Sequence, residues 1–209
     1  MANLIPKVST QKWLETARQT LILEGIEALK IDRLARELGV TRGGFYHHFK
    51  DRDDLLERLL SEWSQTVVFV PYKSSMPSNP AEALWAFDSL MTRFIREDGY
   101  DPAFDMAVRA WSHSDPGVAK AVERSDEKRI STMTDYFAAL GCNATEAAVR
   151  ARVFYFHKIG YYAIGLKEGR RLREQRASVY MQILCGEIHL QAARTWAKKN
   201  NVNVPFSLM

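Results

Sequence analysis

The chain has little cysteine and no long apolar run. Its 209 residues include two cysteines, Cys142 and Cys185, which do not form a C-x-x-C pair. Two separated thiols favour a reduced protein over a disulfide framework. The apolar runs, such as residues 67–70, are far below the roughly 20 residues that a membrane-spanning helix needs. The N-terminus lacks the apolar core of a signal peptide. We therefore expect a cytoplasmic protein with no membrane partner.

The common catalytic motifs are also missing. The sequence has no G-x-S-x-G, no H-E-x-x-H, no P-loop and no dinucleotide-binding glycine pattern. Asp101, Asp105 and Asp115 are separated by helical patterns, so they are interpreted as helix caps or surface residues. The sequence therefore predicts neither an enzyme nor a cofactor.

No segment alternates convincingly as a strand, and the apolar residues recur at helical spacing. The fraction of hydrophobic residues, 46%, is sufficient for a proper core. Asp101-Pro102 and Asp115-Pro116 are typical helix starts, with an acidic cap and proline at the first helical position. The fold is predicted to be all-α. After a fourth helix that carries Leu55 to Val67, the predicted helices are 80–97, 102–113, 116–139, 144–168 and 173–199.

Positive charge is concentrated near the N-terminus. Residues 1–50 hold eight Lys and Arg against five Asp and Glu, which gives +3 of the total net charge of +4. This asymmetry favours an anionic partner for that end of the chain.

The most informative segment is 34–49, which predicts a helix, a glycine turn and a second helix. Gly39 follows an apolar pair at helical spacing and is suited to a left-handed helix end. Thr41 is a favoured N-cap that could accept from the amide of Gly43 or Gly44. Phe45 and Phe49 then supply the inward face of the second helix.

The outward face of that second helix is polar and unusually open. Two adjacent glycines cost about 1 kcal/mol each in a helix, so close approach to DNA is a plausible reason for keeping them. Alternatively, the glycine pair forms a loop. His47 and His48 could be two solvated histidines or a metal pair, but a zinc site needs three or four converging ligands, so we expect no metal. The outward residues are Arg42, Gly43, Gly44, Tyr46, His47 and His48.

Residues 10–63 resemble the N-terminal domain of the TetR family of transcriptional regulators. The resemblance implies a three-helix helix-turn-helix DNA-binding domain at 1–54. It also implies a helical effector-binding and dimerisation domain at 55–209, with the fourth helix as the connector. The positions that carry the resemblance are Trp13, Leu14, Ala17, Leu21, Ile22, Gly25, Ile31, Leu34, Ala35, Gly39, Val40, Gly43, Phe45, Tyr46, His48, Phe49, Asp53, Asp54, Leu55 and Leu56.

By resemblance, two groups of residues contact double-stranded DNA. Those expected at phosphates are Thr41, Tyr46, His48 and Arg52, and those nearest the base edges are Arg42, Gly43, Gly44 and His47. Arg42 suits guanine, and a phosphate contact is about equally plausible.

The chain departs from the family at three positions, of which two belong to these groups. Lys30 stands where Ser or Thr commonly caps the second helix, although its ammonium could reach a phosphate. Gly44 stands where the family often has Thr or Ala, and Arg52 replaces the usual Lys. Arginine is always charged, so we expect it to preserve the phosphate contact.

The resemblance to the TetR family implies that the last two predicted helices form a homodimer interface, where their small residues would let the backbones pack closely. A twofold dimer presents two recognition helices to a palindromic operator. Alternatively, these residues pack inside one subunit. The residues are Gly160, Ala163, Gly165, Ala177 and Gly186.

The resemblance to the TetR family also implies that the middle helices surround a small-molecule pocket, and their mixture of aromatic and polar residues is what such a site requires. The alternative is plain core. The candidates are Trp85, Asp88, Phe104, Arg109, Trp111 and His113. Together these features predict a ligand-responsive transcriptional regulator, most simply a repressor that an effector of unknown identity releases from DNA. The alternatives are an activator of the same fold or an architectural DNA-binding protein without an effector.

Overall fold

The computed structural model describes residues 8–66 and 76–205. Within these ranges the chain is helical, with a short 3-10 turn at Ile26–Ala28 and no strand, which confirms the predicted all-α class. None of the described helices is both long enough and apolar enough to cross a membrane. The helices are α1 Thr10–Glu24, α2 Ile31–Glu37, α3 Arg42–Phe45, α4 Arg52–Thr66, α5 Pro80–Arg96, α6 Pro102–Ser112, α7 Pro116–Ala139, α8 Ala144–Ala163, α9 Arg170–Cys185 and α10 Glu187–Lys199.

The chain packs into two compact units. Unit 1 comprises residues 1–67 and 101–123, and unit 2 comprises 68–100 and 124–209. Helix α4 belongs to unit 1, whereas α7 contributes its first eight residues to unit 1 and the rest to unit 2. This division follows packing and differs from the boundary predicted after residue 54. That boundary stays a prediction about function.

Unit 1 has one hydrophobic core, to which α6 and the start of α7 contribute together with α1 to α4. The side chains that α6 and α7 add to this core are Phe104, Val108, Trp111, Val118 and Val122. Arg18 of α1 forms ion pairs with residues of two other elements. Its Nη2 lies 2.5 Å from Oδ2 of Asp101, at the start of α6, and its Nη1 lies 3.3 Å from Oε1 of Glu62 in α4. The Asp101 carboxylate also accepts from the amide of Phe104, which confirms its predicted role as the cap of α6.

The core of unit 2 contains a cluster of aromatic rings that pack at an angle to one another. Phe87 of α5 lies 4.6 Å from Phe137 and 5.8 Å from Tyr136 of α7, centroid to centroid, and 6.2 Å from Phe154 of α8. All four side chains are buried. Aromatic pairs at these distances add to the stabilisation that comes from burial alone.

The C-terminal part of the chain departs from the predicted helix boundaries. The single helix expected over 173–199 is two helices, because Gly186 adopts φ +79° between α9 and α10. Only glycine adopts this region readily. Arg150 packs against the same position, and an added Cβ on Gly186 would lie 2.8 Å from Arg150 Nη2. Likewise, the helix expected over 144–168 ends at Ala163, and Gly165 follows with φ +72°.

Candidate nucleic-acid interface

The turn between α2 and α3 is fixed by the backbone at Gly39. Gly39 has φ +67°, and its amide donates to Arg36 O at 3.1 Å while the amide of Val40 donates to Ala35 O at 2.9 Å. This pair of hydrogen bonds is the Schellman ending of a helix. The predicted left-handed end at Gly39 is therefore confirmed, and the chain reverses within a few residues.

Helix α3 is a single turn that is anchored by aromatic rings. Phe45 is fully buried, packs edge-on against Trp13 of α1 at 5.4 Å and stacks on Phe49 at 5.0 Å. These contacts press one side of α3 onto the unit and leave the other side in solvent.

Two N-cap positions lack the side-chain hydrogen bond typical of such caps. Thr41 has the extended backbone of an N-cap, but its hydroxyl accepts no amide, and only its carbonyl receives the amide of Gly44, at 2.9 Å. The predicted hydroxyl cap at Thr41 is therefore wrong, and this leaves the hydroxyl to other contacts. Lys30 stands at the N-cap of α2 without a side-chain cap, as its chemistry predicted.

Arg42 is exposed and held in place by two neighbours. Its side chain is 57% exposed, with Nη1 3.5 Å from Asp32 Oδ2, and Nη2 donates to the hydroxyl of Tyr46 at 3.2 Å. The hydrogen bond to Tyr46 and the charge of Asp32 both raise the pKa of Arg42. Sequence reasoning missed Asp32 as a partner because the two residues lie on different helices.

The adjacent glycines have no packing requirement of their own. An added Cβ on Gly43 would lie 3.6 Å from Thr41 Oγ1, and one on Gly44 would lie 3.9 Å from Val40. Both are ordinary van der Waals distances, so the unit has room for a larger residue at either position. Tyr46 and His47 next to them are exposed.

The last two predicted contact residues are more engaged in the fold. His48 is half-buried, with Nδ1 2.9 Å from Thr10 Oγ1 of α1. Arg52 donates from Nε to Leu29 O at 2.6 Å and from Nη2 to Ile26 O at 3.1 Å. Arg52 thus closes the end of the 3-10 turn. This structural role comes in addition to the phosphate contact, which stays a prediction.

The six predicted pocket residues are divided between the two units. Trp85 and Asp88 lie on α5 in unit 2, whereas Phe104, Arg109, Trp111 and His113 lie on α6 or at its end in unit 1. Phe104 and Trp111 belong to the core of unit 1, in line with the alternative interpretation as core.

Unit 2 has a different cavity, between α5, α8 and α9, of about 60 Å³. None of the six predicted residues is among those that line it. The sequence offered one signal for it, a cluster of aromatic and basic residues at helical spacing in α8. The lining residues are Met91, Phe94, Ile95, Phe154, His157, Lys158, Tyr161, Tyr162, Glu168, Arg173, Tyr180 and Leu184.

The small residues expected at an interface are scattered. Gly160 and Ala177 are half-buried, Ala163 and Gly165 are exposed, and Gly186 accommodates Arg150 of the same chain. Large apolar side chains are exposed nearby at helical spacing, which sequence reasoning missed. We call them the α8–α9 apolar face: Val149, Val153 and Phe156 on α8, with Leu172, Val179 and Ile183 on α9.

Known proteins resemble this chain most clearly at the N-terminus. Residues 14–59 match the family model for bacterial regulatory proteins of the tetR family. The chain is 32% identical over 76 residues to the HTH-type transcriptional regulator AcrR of Shigella flexneri, which is 35% of each protein. It is 41% identical over 49 residues to an HTH-type transcriptional regulator of Staphylococcus aureus (strain USA300), covering 23% of this chain and 26% of that one. The chain thus spans about a quarter to a third of the length of these relatives.

Similarity to solved structures extends over most of the chain and concerns the fold alone. The reduced form of E. coli NemR aligns with a TM-score of 0.55 and 14% identity, over 94% of this chain and 98% of that one. A Rhodococcus sp. protein assigned to the TetR-family transcriptional regulators aligns with a TM-score of 0.56 and 15% identity, over 85% and 98% respectively.

The fold and the exposed second helix define an all-α protein with an N-terminal helix-turn-helix. Over residues 14–59 the chain is similar to the tetR family of bacterial regulatory proteins. The two curated relatives that match this segment are named as HTH-type transcriptional regulators, the class that the sequence predicted.

Proposed function

We propose that this protein is a DNA-binding transcriptional regulator that binds a palindromic operator as a homodimer and is released by a small-molecule effector. The exposed guanidinium of Arg42, oriented by Tyr46 and Asp32, carries this proposal most directly. Arginine pairs with the O6 and N7 atoms of guanine in the major groove. The neighbouring Gly43 and Gly44 let the backbone approach the groove closely.

The α8–α9 apolar face supports a dimer. The exposed fractions of Val153, Phe156 and Ile183 are 51%, 60% and 69%. A monomer rarely exposes several large apolar side chains in one region unless a partner covers them. We assign this face to the partner subunit, whereas the small residues predicted for the interface play a secondary part.

The cavity in unit 2 supports a small-molecule effector. Its walls combine aromatic rings with a few polar groups, as ligand sites generally do. The pKa of Tyr162 is raised chiefly by burial, and its hydroxyl donates to Phe94 O at 3.2 Å and lies 2.8 Å from Arg173 Nη2. At about 60 Å³ the cavity is small, so a larger effector would have to displace side chains.

Coupling between effector and DNA would run through α7, because this helix belongs to both units. An effector that binds one arrangement of the dimer better than another shifts the equilibrium toward that arrangement, and with it the spacing of the two α3 helices. The shift in the equilibrium is limited by the difference in the effector's affinity for the two arrangements. Such coupling is typically about 1 to 3 kcal/mol.

A selection experiment tests the proposal. Random duplex DNA is bound to the purified protein, recovered and sequenced, and the affinity for the enriched site is compared with that for bulk DNA at fixed salt. We expect a palindromic site that is preferred about a thousandfold or more. A uniform, sequence-independent affinity would refute the proposal and indicate an architectural protein. Candidate metabolites are then tested for release of the selected site.

A further inference from the structure

Three metal-ligating side chains converge in unit 2, far along the chain from the helix-turn-helix. Cys142 lies in the turn between α7 and α8, Glu146 in the first turn of α8, and His189 in the first turn of α10. One ligand atom from each lies within 4.8 Å of the other two. Cys142 and Glu146 are close in the sequence, at the start of α8, and the fold brings His189 to them from α10.

The cluster is shielded from solvent and held by its surroundings. Cys142 is 7% exposed, and the side chains of His189 and Glu146 are 15% and 30% exposed. Asn143 caps α8 by accepting from the amide of Glu146 at 3.0 Å, which fixes the start of this helix. Gly141, with φ +106°, lets the preceding turn approach the ring of His189, whose Nδ1 lies 3.9 Å from where a Cβ on Gly141 would stand.

The spacing of the donors is close to that of a tetrahedral site. Zinc lies about 2.0 to 2.3 Å from nitrogen, oxygen and sulfur ligands, so neighbouring ligand atoms are about 3.3 to 3.7 Å apart. His189 Nε2 lies 3.0 Å from Glu146 Oε1, and metal binding would exchange this hydrogen-bond contact for metal bonds from the imidazole and from the other carboxylate oxygen. A shift of about 1 Å in the cysteine side chain would complete the three-ligand set, which leaves a fourth position for water.

Arg150 holds the carboxylate of Glu146 in position. Its Nε and Nη2 both lie 2.8 Å from Glu146 Oε1, and its Nη1 donates to Leu184 O at 2.7 Å. Neither these contacts nor the one from His189 uses Oε2 of Glu146, so that oxygen is left for a ligand. Hydrogen bonds of this kind orient carboxylates that bind metals. Once a metal ion has displaced the proton of the Cys142 thiol, the thiolate and the Glu146 carboxylate together carry one negative charge more than the Arg150 guanidinium balances, which suits a divalent cation.

We propose that Cys142, Glu146 and His189 form a binding site for a divalent transition-metal ion of the zinc class. The mixed sulfur, nitrogen and oxygen donors suit zinc, whereas magnesium and calcium prefer oxygen ligands alone. On binding, the Cys142 thiol gives its proton to solvent, and its sulfur forms the bond to the metal. The site is separate from the proposed DNA contacts and does not depend on them.

The test uses the purified full-length chain, first stripped of metal with a chelator. Zinc is titrated in competition with a chromophoric chelator, and cobalt(II) is added separately as a spectroscopic probe. We expect one zinc ion per chain and a near-ultraviolet absorption band from charge transfer between sulfur and cobalt. Cys142→Ala and His189→Gln should each weaken zinc binding by about tenfold or more. Cys142→Ala should also abolish the cobalt band.

Matched controls separate this site from incidental binding. Cys185→Ala removes the other buried thiol, and His113→Gln removes a histidine on the surface of unit 1. Both should bind zinc within about twofold of the parent chain. No zinc above the chelator blank, or equal affinities in Cys142→Ala and Cys185→Ala, would overturn the proposal. If Cys142→Ala does not fold, the cobalt spectrum of the parent chain with and without Glu146→Gln decides, since only the proposed site predicts that this substitution alters the band.

Discussion

The indole Nε1 of Trp63 donates a hydrogen bond of 2.9 Å to the carboxylate of Asp105, and both side chains are fully buried. The bond joins α4 to α6, which are far apart in sequence. A buried carboxylate is costly unless it is paired, and Arg109 Nε lies 3.5 Å from its other oxygen. This polar contact fixes how α6 packs in unit 1.

Trp63→Phe should lower the free energy of unfolding by about 2 to 3 kcal/mol, because it removes a donor from a buried carboxylate and leaves a small void. Urea denaturation measures the change. Trp85→Phe is the matched control, because its indole bond to Asn203 O, at 3.0 Å, is exposed, and it should cost about 1 kcal/mol or less. Equal losses of unfolding free energy in the two variants would show that the buried hydrogen bond to Asp105 stabilises the protein no more than the exposed one to Asn203.

Substitutions of Arg42 and Arg52 should affect different properties, DNA affinity for Arg42 and folding stability for Arg52. Arg52→Ala frees two carbonyl groups at the end of the 3-10 turn, so we expect a loss of about 1 to 2 kcal/mol in the free energy of unfolding. Arg42→Ala should leave stability nearly unchanged and weaken binding to the selected DNA site by about 1 to 3 kcal/mol. Chemical denaturation and fluorescence anisotropy measure the two effects. The assignment fails if Arg52→Ala is as stable as the parent chain.

Gly186, between α9 and α10, and Gly160, inside α8, differ in whether the backbone requires glycine. Gly186→Ala should destabilise the protein by about 1 to 3 kcal/mol, because of the positive φ and because the new Cβ would lie 2.8 Å from Arg150. Gly160→Ala meets no atom within 4 Å and lies inside α8, so it should be neutral or stabilising by up to about 1 kcal/mol. Thermal unfolding distinguishes them, and a destabilised Gly160→Ala monomer would contradict this prediction.

The Asp54 carboxylate should make a pH-dependent contribution to stability. Its pKa lies below the ordinary value of 3.8, mainly because Arg58 donates to it at 2.7 Å and also because the amide of Lys50 donates to it at 2.9 Å. A lowered pKa means stability that is present above pH 3.8 and lost as pH falls through the folded-state value. The stability difference between the parent chain and Asp54→Asn should therefore shrink between about pH 5 and pH 2. Urea denaturation across that range measures it, and a constant difference would exclude this role.

The α8–α9 apolar face should determine the oligomeric state. Phe156→Asp places a charge at a side chain that is 60% exposed, so folding should persist while a dimer that buries this face dissociates. Sedimentation velocity measures the mass, and circular dichroism checks the helix content. Leu23→Asp on α1, at a residue 75% exposed, is the control and should leave the mass of the parent chain unchanged. A dimeric Phe156→Asp would remove this face from the proposed interface.

Local patterns in the sequence predicted several features that a few neighbouring residues decide. The left-handed end at Gly39 and the cap at Asp101 depend on backbone preference and on one hydrogen bond each, and both were predicted. The exposure of Arg42 followed from the spacing of the apolar residues in the same turn. The break at Gly186 was missed because the surrounding apolar pattern continues through it.

Contacts between residues far apart in the chain could not be predicted from the sequence. The pattern of α6 shows which side is apolar, but not that Phe104 and Trp111 fill the core beneath the helix-turn-helix. Arg52 looks like any basic residue at a helix start until Leu29 O is seen 2.6 Å from its Nε. The convergence of Cys142 with His189 has the same cause, since it depends on the break between α9 and α10.

The participation of α6 in unit 1 has a consequence for exchanging parts between regulators. A chimera that joins residues 1–66 of this chain to a foreign effector domain would lose the core side chains Phe104, Val108 and Trp111. It would also lose Asp105, which accepts the hydrogen bond from Trp63, and the apolar core of the helix-turn-helix unit would be exposed to solvent. A transplant would have to carry residues 101–123 as well, in two pieces with foreign sequence between them. For this protein, the portable module is not a continuous stretch of chain.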